Sequence, residues 1–241
     1  MLETTVFIFL LSIVASVIQR VSGFGFGIFV MMFFPFILST FGESLTLSGL
    51  LAGTTALLIA IRNWRFIRWN TMWIVLFFNA ISSFIAIEYM SSLSNDTLKR
   101  CFGVVLVLIA LYFLLCEGKL NLLFKSKAAQ AIIGIVSGVM GGMFAMPGPP
   151  VVLYSIGTIK DNREYLATLQ AYSVVFNIFY LIYRMRVGFF SENTLLWWVV
   201  GLFGLVIGAW IGARCFERIS TELLKKIVYS TMLISGIVAI I

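Results

Sequence analysis

Val21-Ser22-Gly23-Phe24-Gly25-Phe26-Gly27-Ile28-Phe29, near the start of the chain, returns later as Val136-Ser137-Gly138-Val139-Met140-Gly141-Gly142-Met143-Phe144. At an offset of 115 the two stretches share Val, Ser and the first Gly, Gly27 falls on Gly142, and Phe29 on Phe144. The same gapless register sets Pro35 on Pro150. Each copy places helix-weakening residues inside a long apolar run. Glycine loosens a helix through its backbone freedom, and proline removes a donor and clashes with the preceding turn. Lipid tolerates such a break only where it lines a cavity or packs on protein. Two matched breaks are the sequence mark of a transporter's binding site. Close-packing glycines of the small-xxx-small kind are the other reading of the same residues.

Working outward, the whole chain is apolar. Its 241 residues are 61% hydrophobic and 11% charged, with a mean hydropathy of +1.06. A soluble domain carries about 25% charge. The chain therefore reads as an all-α polytopic membrane protein. The net charge of +7 resides in short loops, where lysine and arginine mark cytoplasmic sides, and no basic domain is present to bind nucleic acid. Cys101, Cys116 and Cys215 form no CxxC pair and read as buried apolar residues. The absence of histidine excludes histidine-held metal, histidine-ligated haem and histidine proton relays. Glu3 and the lack of a basic leader argue against a cleaved signal peptide.

In chain order, apolar arms run from Val6 to Ile18 and from Ile28 to Leu38 on either side of the first cluster. Helices are expected over Leu45–Ile61, Thr71–Ile87 and Leu98–Cys116, the last capped by Asn95 or Asp96. Residues 117–127 are the expected linker. The plan then repeats, with arms Ala128–Val136 and Val151–Ile159 around the second cluster. Pro149 or Pro150 belongs in a first turn, where the missing N–H costs little. Helices are expected over Tyr165–Tyr183, Thr194–Ala213 and Ile227–Ile241, with Gly201, Gly204, Gly208 and Gly212 as a helix-packing stripe. Leu224-Lys225-Lys226 echoes Leu98-Lys99-Arg100 at an offset of 126.

Loop charge separates a span from a hairpin. If Ala128–Ile159 crosses once, the loops on the two sides hold eight basic residues each. If it enters and leaves on one side, that side holds twelve: Arg62, Arg65, Arg68, Lys119, Lys125, Lys127, Lys160, Arg163, Arg214, Arg218, Lys225 and Lys226. The other side keeps four: Lys99, Arg100, Arg184 and Arg186. The positive-inside rule selects the hairpin, and internal symmetry extends it to the first half. A re-entrant hairpin of two half-helices plus three transmembrane helices is an odd number of crossings. The halves, residues 1–116 and 128–241, are then inverted repeats, with both termini outside the cytoplasm and the 117–127 linker within it. Half-helices starting near Ile28 and Val151 would aim free N–H groups at an anion.

Ser22-Gly23-Phe24-Gly25-Phe26-Gly27 and Ser137-Gly138-x-x-Gly141-Gly142-x-Phe144-x-x-Pro147-Gly148-Pro149-Pro150 together resemble the paired signatures of the TauE/SafE family of sulfite exporters. Phe24 and Phe26 interrupt the triple-glycine form of the first signature. The resemblance covers essentially the whole chain and implies export of sulfite, thiosulfate or a small organosulfonate. The expected substrate site comprises Arg20, Ser22, Gly23, Gly25 and Gly27, Thr54 and Thr55, Ser137, Gly138, Gly141 and Gly142, and Gln170, Ser173 and Asn177. Glycines admit backbone N–H groups to an anion, and hydroxyl and amide groups replace its water. Interhelical hydrogen bonding is the other role open to Thr54, Thr55 and Ser173.

Arg20 is the one charge beside a break, and every carboxylate stands at a segment end or in a loop. The expected mechanism is accordingly anion efflux driven by membrane potential, at about 2.3 kcal/mol per charge per 100 mV. No cofactor or metal is expected. The partners are the anion and the lipid bilayer, and a homodimer is left open. A transporter of another solute, such as an amino acid or other organic anion, is the main rival. A membrane enzyme lacks a set of catalytic groups, and an assembly factor has no need of matched breaks.

Overall fold

The computed structural model describes residues 2–22, 25–116, 126–215 and 221–241. Among them every regular element is helical. The first half comprises α1 (Leu2–Ser22), α2 (Phe26–Met31), α3 (Phe34–Ile37), α4 (Phe41–Arg62), a 3-10 turn at Trp64–Phe66, α5 (Trp69–Ser91) and α6 (Asn95–Cys116). The second comprises α7 (Lys127–Phe144), α8 (Gly148–Thr158), α9 (Asn162–Arg186), α10 (Thr194–Cys215) and α11 (Thr221–Ile240). Among the described residues six helices, α1, α4, α5, α7, α9 and α10, are long and apolar enough to cross a membrane.

Both breaks exist, but the second is not where the glycines are. Gly25 turns the chain into α2 with φ +100°, a left-handed conformation that only glycine adopts without strain. In the second half α7 runs straight through Ser137, Gly138, Gly141 and Gly142, and the chain turns at Ala145, φ +57°. This narrows the break, expected between the arms at 137–150, to the residues between Phe144 and Gly148. A helical glycine costs about 1 kcal/mol relative to alanine, and close packing on α5 recovers it. The arms are unequal as well: α1, at about 31 Å, and α7, at about 27 Å, are span-length rather than half-helices. The gapless register of 115 fails for the same reason, since the left-handed residues Gly25 and Ala145 are 120 apart.

The chain divides into two compact units. One holds Met1–Leu51, Leu93–Leu120 and Phe190–Ile241, the other Ala52–Ser92 and Asn121–Phe189. Each therefore draws helices from both halves of the sequence. Within the first, α1 lies along α10 and α6 along α11. The predicted stripe on α10 makes the close approach: a Cβ on Gly204 would stand 2.5 Å from the Phe9 carbonyl oxygen, and one on Gly208 would strike that of Ile13. Ser16 Oγ donates to the Leu205 carbonyl at 2.8 Å. Gly103 and Gly236 bring α6 and α11 together in the same way.

Within the second unit, α7 lies along α5. A Cβ on Gly134 or Gly138 would stand 2.6 Å from the Val75 or Asn79 carbonyl oxygen, and one on Gly142 3.0 Å from that of Ser83. The spacing of four puts these three glycines on one face. Pro149 stands in the first turn of α8, as the sequence predicts.

Two smaller expectations are corrected. Ser94, not Asn95 or Asp96, caps α6, accepting from Thr97 N at 3.2 Å. Asn95 Oδ1 instead accepts from Phe41 N, an unpaired donor at the start of α4. Cys101 is exposed rather than buried. The side chains of Cys116 and Cys215, and most of the 117–127 linker, lie outside the described residues.

Candidate functional site

The second break is held by a buried polar network within its own unit. Ser137 is fully enclosed on α7 and reaches past the turn, donating to the Pro147 carbonyl at 2.8 Å. Its hydroxyl lies 3.2 Å from Tyr172 Oη and accepts from Asn79 Nδ2 at 3.3 Å. Asn79 also meets Tyr180 Oη, at 3.1 Å from its amide nitrogen and 3.2 Å from its oxygen. One oxygen on α7 thereby ties together α5, α9 and the loop into α8.

The end of α7 needs acceptors satisfied, because the last turn of a helix leaves carbonyls unpaired. Ala145 N donates to Gly141 O at 3.1 Å. The Arg184 guanidinium adds bonds to Gly141 O at 2.9 Å and Gly142 O at 3.3 Å, and lies over the Tyr180 ring, 5.4 Å from its centroid. A cation at a helix C-terminus also meets the negative end of the dipole. Arg184 is only 1% exposed. The sequence reading left it in a loop, because α9 was expected to stop at Tyr183. Its signal is a stripe at spacing four: Tyr172, Phe176, Tyr180 and Arg184. The rings of Tyr172 and Phe176 meet edge-on at 3.8 Å, and those of Phe176 and Tyr180 stack at 5.4 Å.

The predicted site residues divide between the units. In the second, Ser137 is central to the network, and Gly141 and Gly142 give Arg184 its acceptors. Gly138 and Gly142 face α5. Gln170 is buried. Ser173 and Asn177 bond within α9, to Leu169 O at 3.0 Å and Ser173 O at 2.8 Å. Asn177 packs on Gly53 of α4, beside Thr54 and buried Thr55. In the first unit, Gly25 and Gly27 are half-buried at the start of α2. Arg20 is exposed at the end of α1, with its stem against Gly212. Gly23 and the side chain of Ser22 lie outside the described residues.

Two features shift the weight from backbone to side chains. Pro149 and Pro150 have no N–H, so the first turn of α8 offers the donors of Gly148 and Val151 alone. A buried carboxylate is also present: Glu43, in the first turn of α4, is 3% exposed. It stands at a segment end, as the sequence reading placed it, but that end is enclosed. Ser191 Oγ donates to it.

Six helices of spanning length among the described residues define a polytopic helical membrane protein. The model of the sulfite exporter TauE/SafE family matches residues 8–239, and the chain belongs to that family. No curated protein and no solved structure matches it.

Proposed function

We propose that this protein is a secondary transporter that exports sulfite, or a closely related small sulfur anion, from the cytoplasm by alternating access. The observation that carries the reading is Ser137, a buried hydroxyl joined to the Pro147 carbonyl at the break and to two polar side chains from two other helices, Asn79 and Tyr172, the first of which also meets Tyr180. Rearranging that network exchanges its internal bonds for bonds to an oxyanion. Asn79, Tyr172 and Tyr180 supply donors, Gly141 and Gly142 keep the backbone close, and the Gln170, Ser173, Asn177, Thr54 and Thr55 surfaces flank it. Arg20, Ser22, Gly23, Gly25 and Gly27 at the first break are the candidate anion-contacting residues of the other unit, taken by itself.

An inverted relation of the halves is supported by their element order and contacts. A long helix, a left-handed turn, a short helical segment and three long helices occur in that order twice. α7 packs on α5 as α1 packs on α10. If α7 and α8 together enter and leave on one side, twelve basic residues stand against four, and the 117–127 linker and Asn162 then face the cytoplasm and both termini the outside. The test is thermal stabilisation of the purified protein. Sulfite is expected to raise the melting midpoint, with sulfate and amino acids weaker. Stabilisation by amino acids with no response to sulfite would assign a different solute.

A further inference from the structure

One end of the second unit is strongly basic. On α7, Gly134, Gly138 and Gly142 meet Val75, Asn79 and Ser83 of α5 in the same order, so the two helices run parallel. α9 runs the same way, because Arg68 N donates to Thr168 Oγ1 at 2.9 Å and Tyr180 meets Asn79. α5, α7 and α9 therefore begin at one end. α8 comes back to it, where Tyr154 Oη donates to the Thr71 carbonyl at 2.7 Å. Arg62, Arg65, Arg68, Lys127, Lys160 and Arg163 gather at this end, and all are exposed. The carboxylates described there are engaged. Asp161 caps α9, accepting from Arg163 N and Glu164 N at 2.9 Å each, and Glu164 pairs with Arg68 Nε at 2.7 Å.

A cavity of about 440 Å³ opens at the same end, lined by Ile67, Arg68, Trp69, Asn70 and Thr71. Arg68 meets Glu164 through Nε and keeps 55% of its side chain exposed, and a guanidinium has further donors for a second anion. Asn70 adds an amide and Thr71 a hydroxyl. α5 starts at the cavity with no side-chain cap, and the positive end of its dipole adds to the attraction. Aromatic rings surround the charge as they do at a membrane–water boundary. The Arg65 guanidinium lies over the Trp64 ring, 5.6 Å from its centroid, and the Trp69 and Trp73 rings are 6.2 Å apart.

An apolar strip leads away from the cavity. Trp69, Trp73, Phe77, Ile81 and Ile85 recur at every fourth residue of α5, and all five are exposed. The strip winds along the outside of the helix for about 24 Å, more than the depth of one leaflet of a hydrocarbon core about 30 Å thick. A soluble anion would use the cavity and leave the strip bare. A phospholipid uses both.

We propose that the cavity holds the headgroup of an anionic phospholipid, with its phosphate on Arg68 and an acyl chain along Trp73, Phe77, Ile81 and Ile85. The bound lipid braces the turn between α4 and α5 against α9, the helix that carries Tyr172 and Tyr180. The site stands on the membrane fold, whichever solute is carried.

Native mass spectrometry of the full-length protein, delipidated in detergent and titrated with phosphatidylglycerol, reads the site. The first phosphatidylglycerol should bind about tenfold more tightly than phosphatidylcholine, given several basic residues within reach of its charge. Arg68→Gln should weaken it about fivefold, the share of one basic residue. Glu164→Gln breaks the same ion pair but removes no cation, so it should not weaken the lipid. Arg186→Gln, exposed at the opposite end of the unit, should leave binding unchanged. Trp73→Ala should weaken phosphatidylglycerol, and it supplies the test if Arg68→Gln does not fold. Equal retention of the two lipids, or a loss in Glu164→Gln equal to that in Arg68→Gln, overturns the proposal. Displacement of phosphatidylglycerol by inorganic phosphate would overturn it in favour of a free-anion site. A lipid-free dimer that Trp73→Ala dissociates would overturn it in favour of a second copy of the chain on the strip.

Discussion

The α5–α7 and α1–α10 pairs solve one packing problem from opposite sides. In the first, the glycines are on α7, the helix that precedes a break, and the partner α5 presents Asn79, Ser82 and Ser83. In the second, α1 precedes the break but carries Ser12 and Ser16, and the glycines are on the partner α10. Close approach of two backbones needs a small residue on one side only. Glycine clustering therefore marks where helices touch, and the break itself is set by a single left-handed residue, Gly25 or Ala145. The surroundings of the two breaks differ too. The second is filled by Asn79, Ser137, Tyr172, Tyr180 and Arg184, whereas the charge that adjoins the first along the chain is the exposed Arg20.

The comparison is broken most forcefully by overpacking. Gly138→Leu on α7 and Gly204→Leu on α10 each drive a side chain into a partner carbonyl. Both should cost more than about 3 kcal/mol and abolish the folded protein in a detergent melting assay. Gly148→Ala, with open space around it, should change stability by less than about 0.5 kcal/mol. If either leucine variant melts normally, that helix pair does not depend on its glycines.

Arg184→Met should be next, at about 2–3 kcal/mol, because Gly141 O and Gly142 O lose a charged donor. Arg184→Lys should restore part of this, since an ammonium cannot reproduce the planar fork. Equal melting of all three proteins would remove Arg184 from the support of the break.

Arg20→Gln sharpens the contrast between the breaks. The residue is exposed, so stability should be nearly unchanged while the rate of anion transport falls. An unaltered rate would remove Arg20 from the pathway. The smallest effect belongs to Arg68→Gln, whose pair with Glu164 is partly solvated and worth about 0.2–1 kcal/mol.

Much of this fold is legible in the residues. The helical membrane class, the packing stripe on α10 and the prolines in the first turns of α8 follow from composition and spacing. The register of the repeat does not. Gly27 and Gly142 align by letter, yet one lies in the first turn of α2 and the other packs the end of α7 on α5. Ala145 carries no sequence mark of a left-handed turn, because alanine adopts one only when its surroundings impose it. Arg184 and Glu43 were hidden by their position. Both stand at helix ends, where charge is ordinary, and only tertiary packing buries them. Ser137 was legible as a site residue through its motif, whereas Asn79, Tyr172 and Tyr180, which complete its network, carry no motif of their own.

Sulfite efflux from proteoliposomes held at an inside-negative potential tests the export reading most directly, with wild type compared against Ser137→Ala. The substitution removes one hydroxyl and fills no new space, so the variant should keep its fold. The account predicts voltage-dependent efflux of sulfite by the wild type and a rate at least about tenfold lower for Ser137→Ala, a loss of about 1.4 kcal/mol of stabilisation along the pathway. Efflux by Ser137→Ala at the wild-type rate would put the anion's path elsewhere, and no sulfite efflux by the wild type would contradict the account outright.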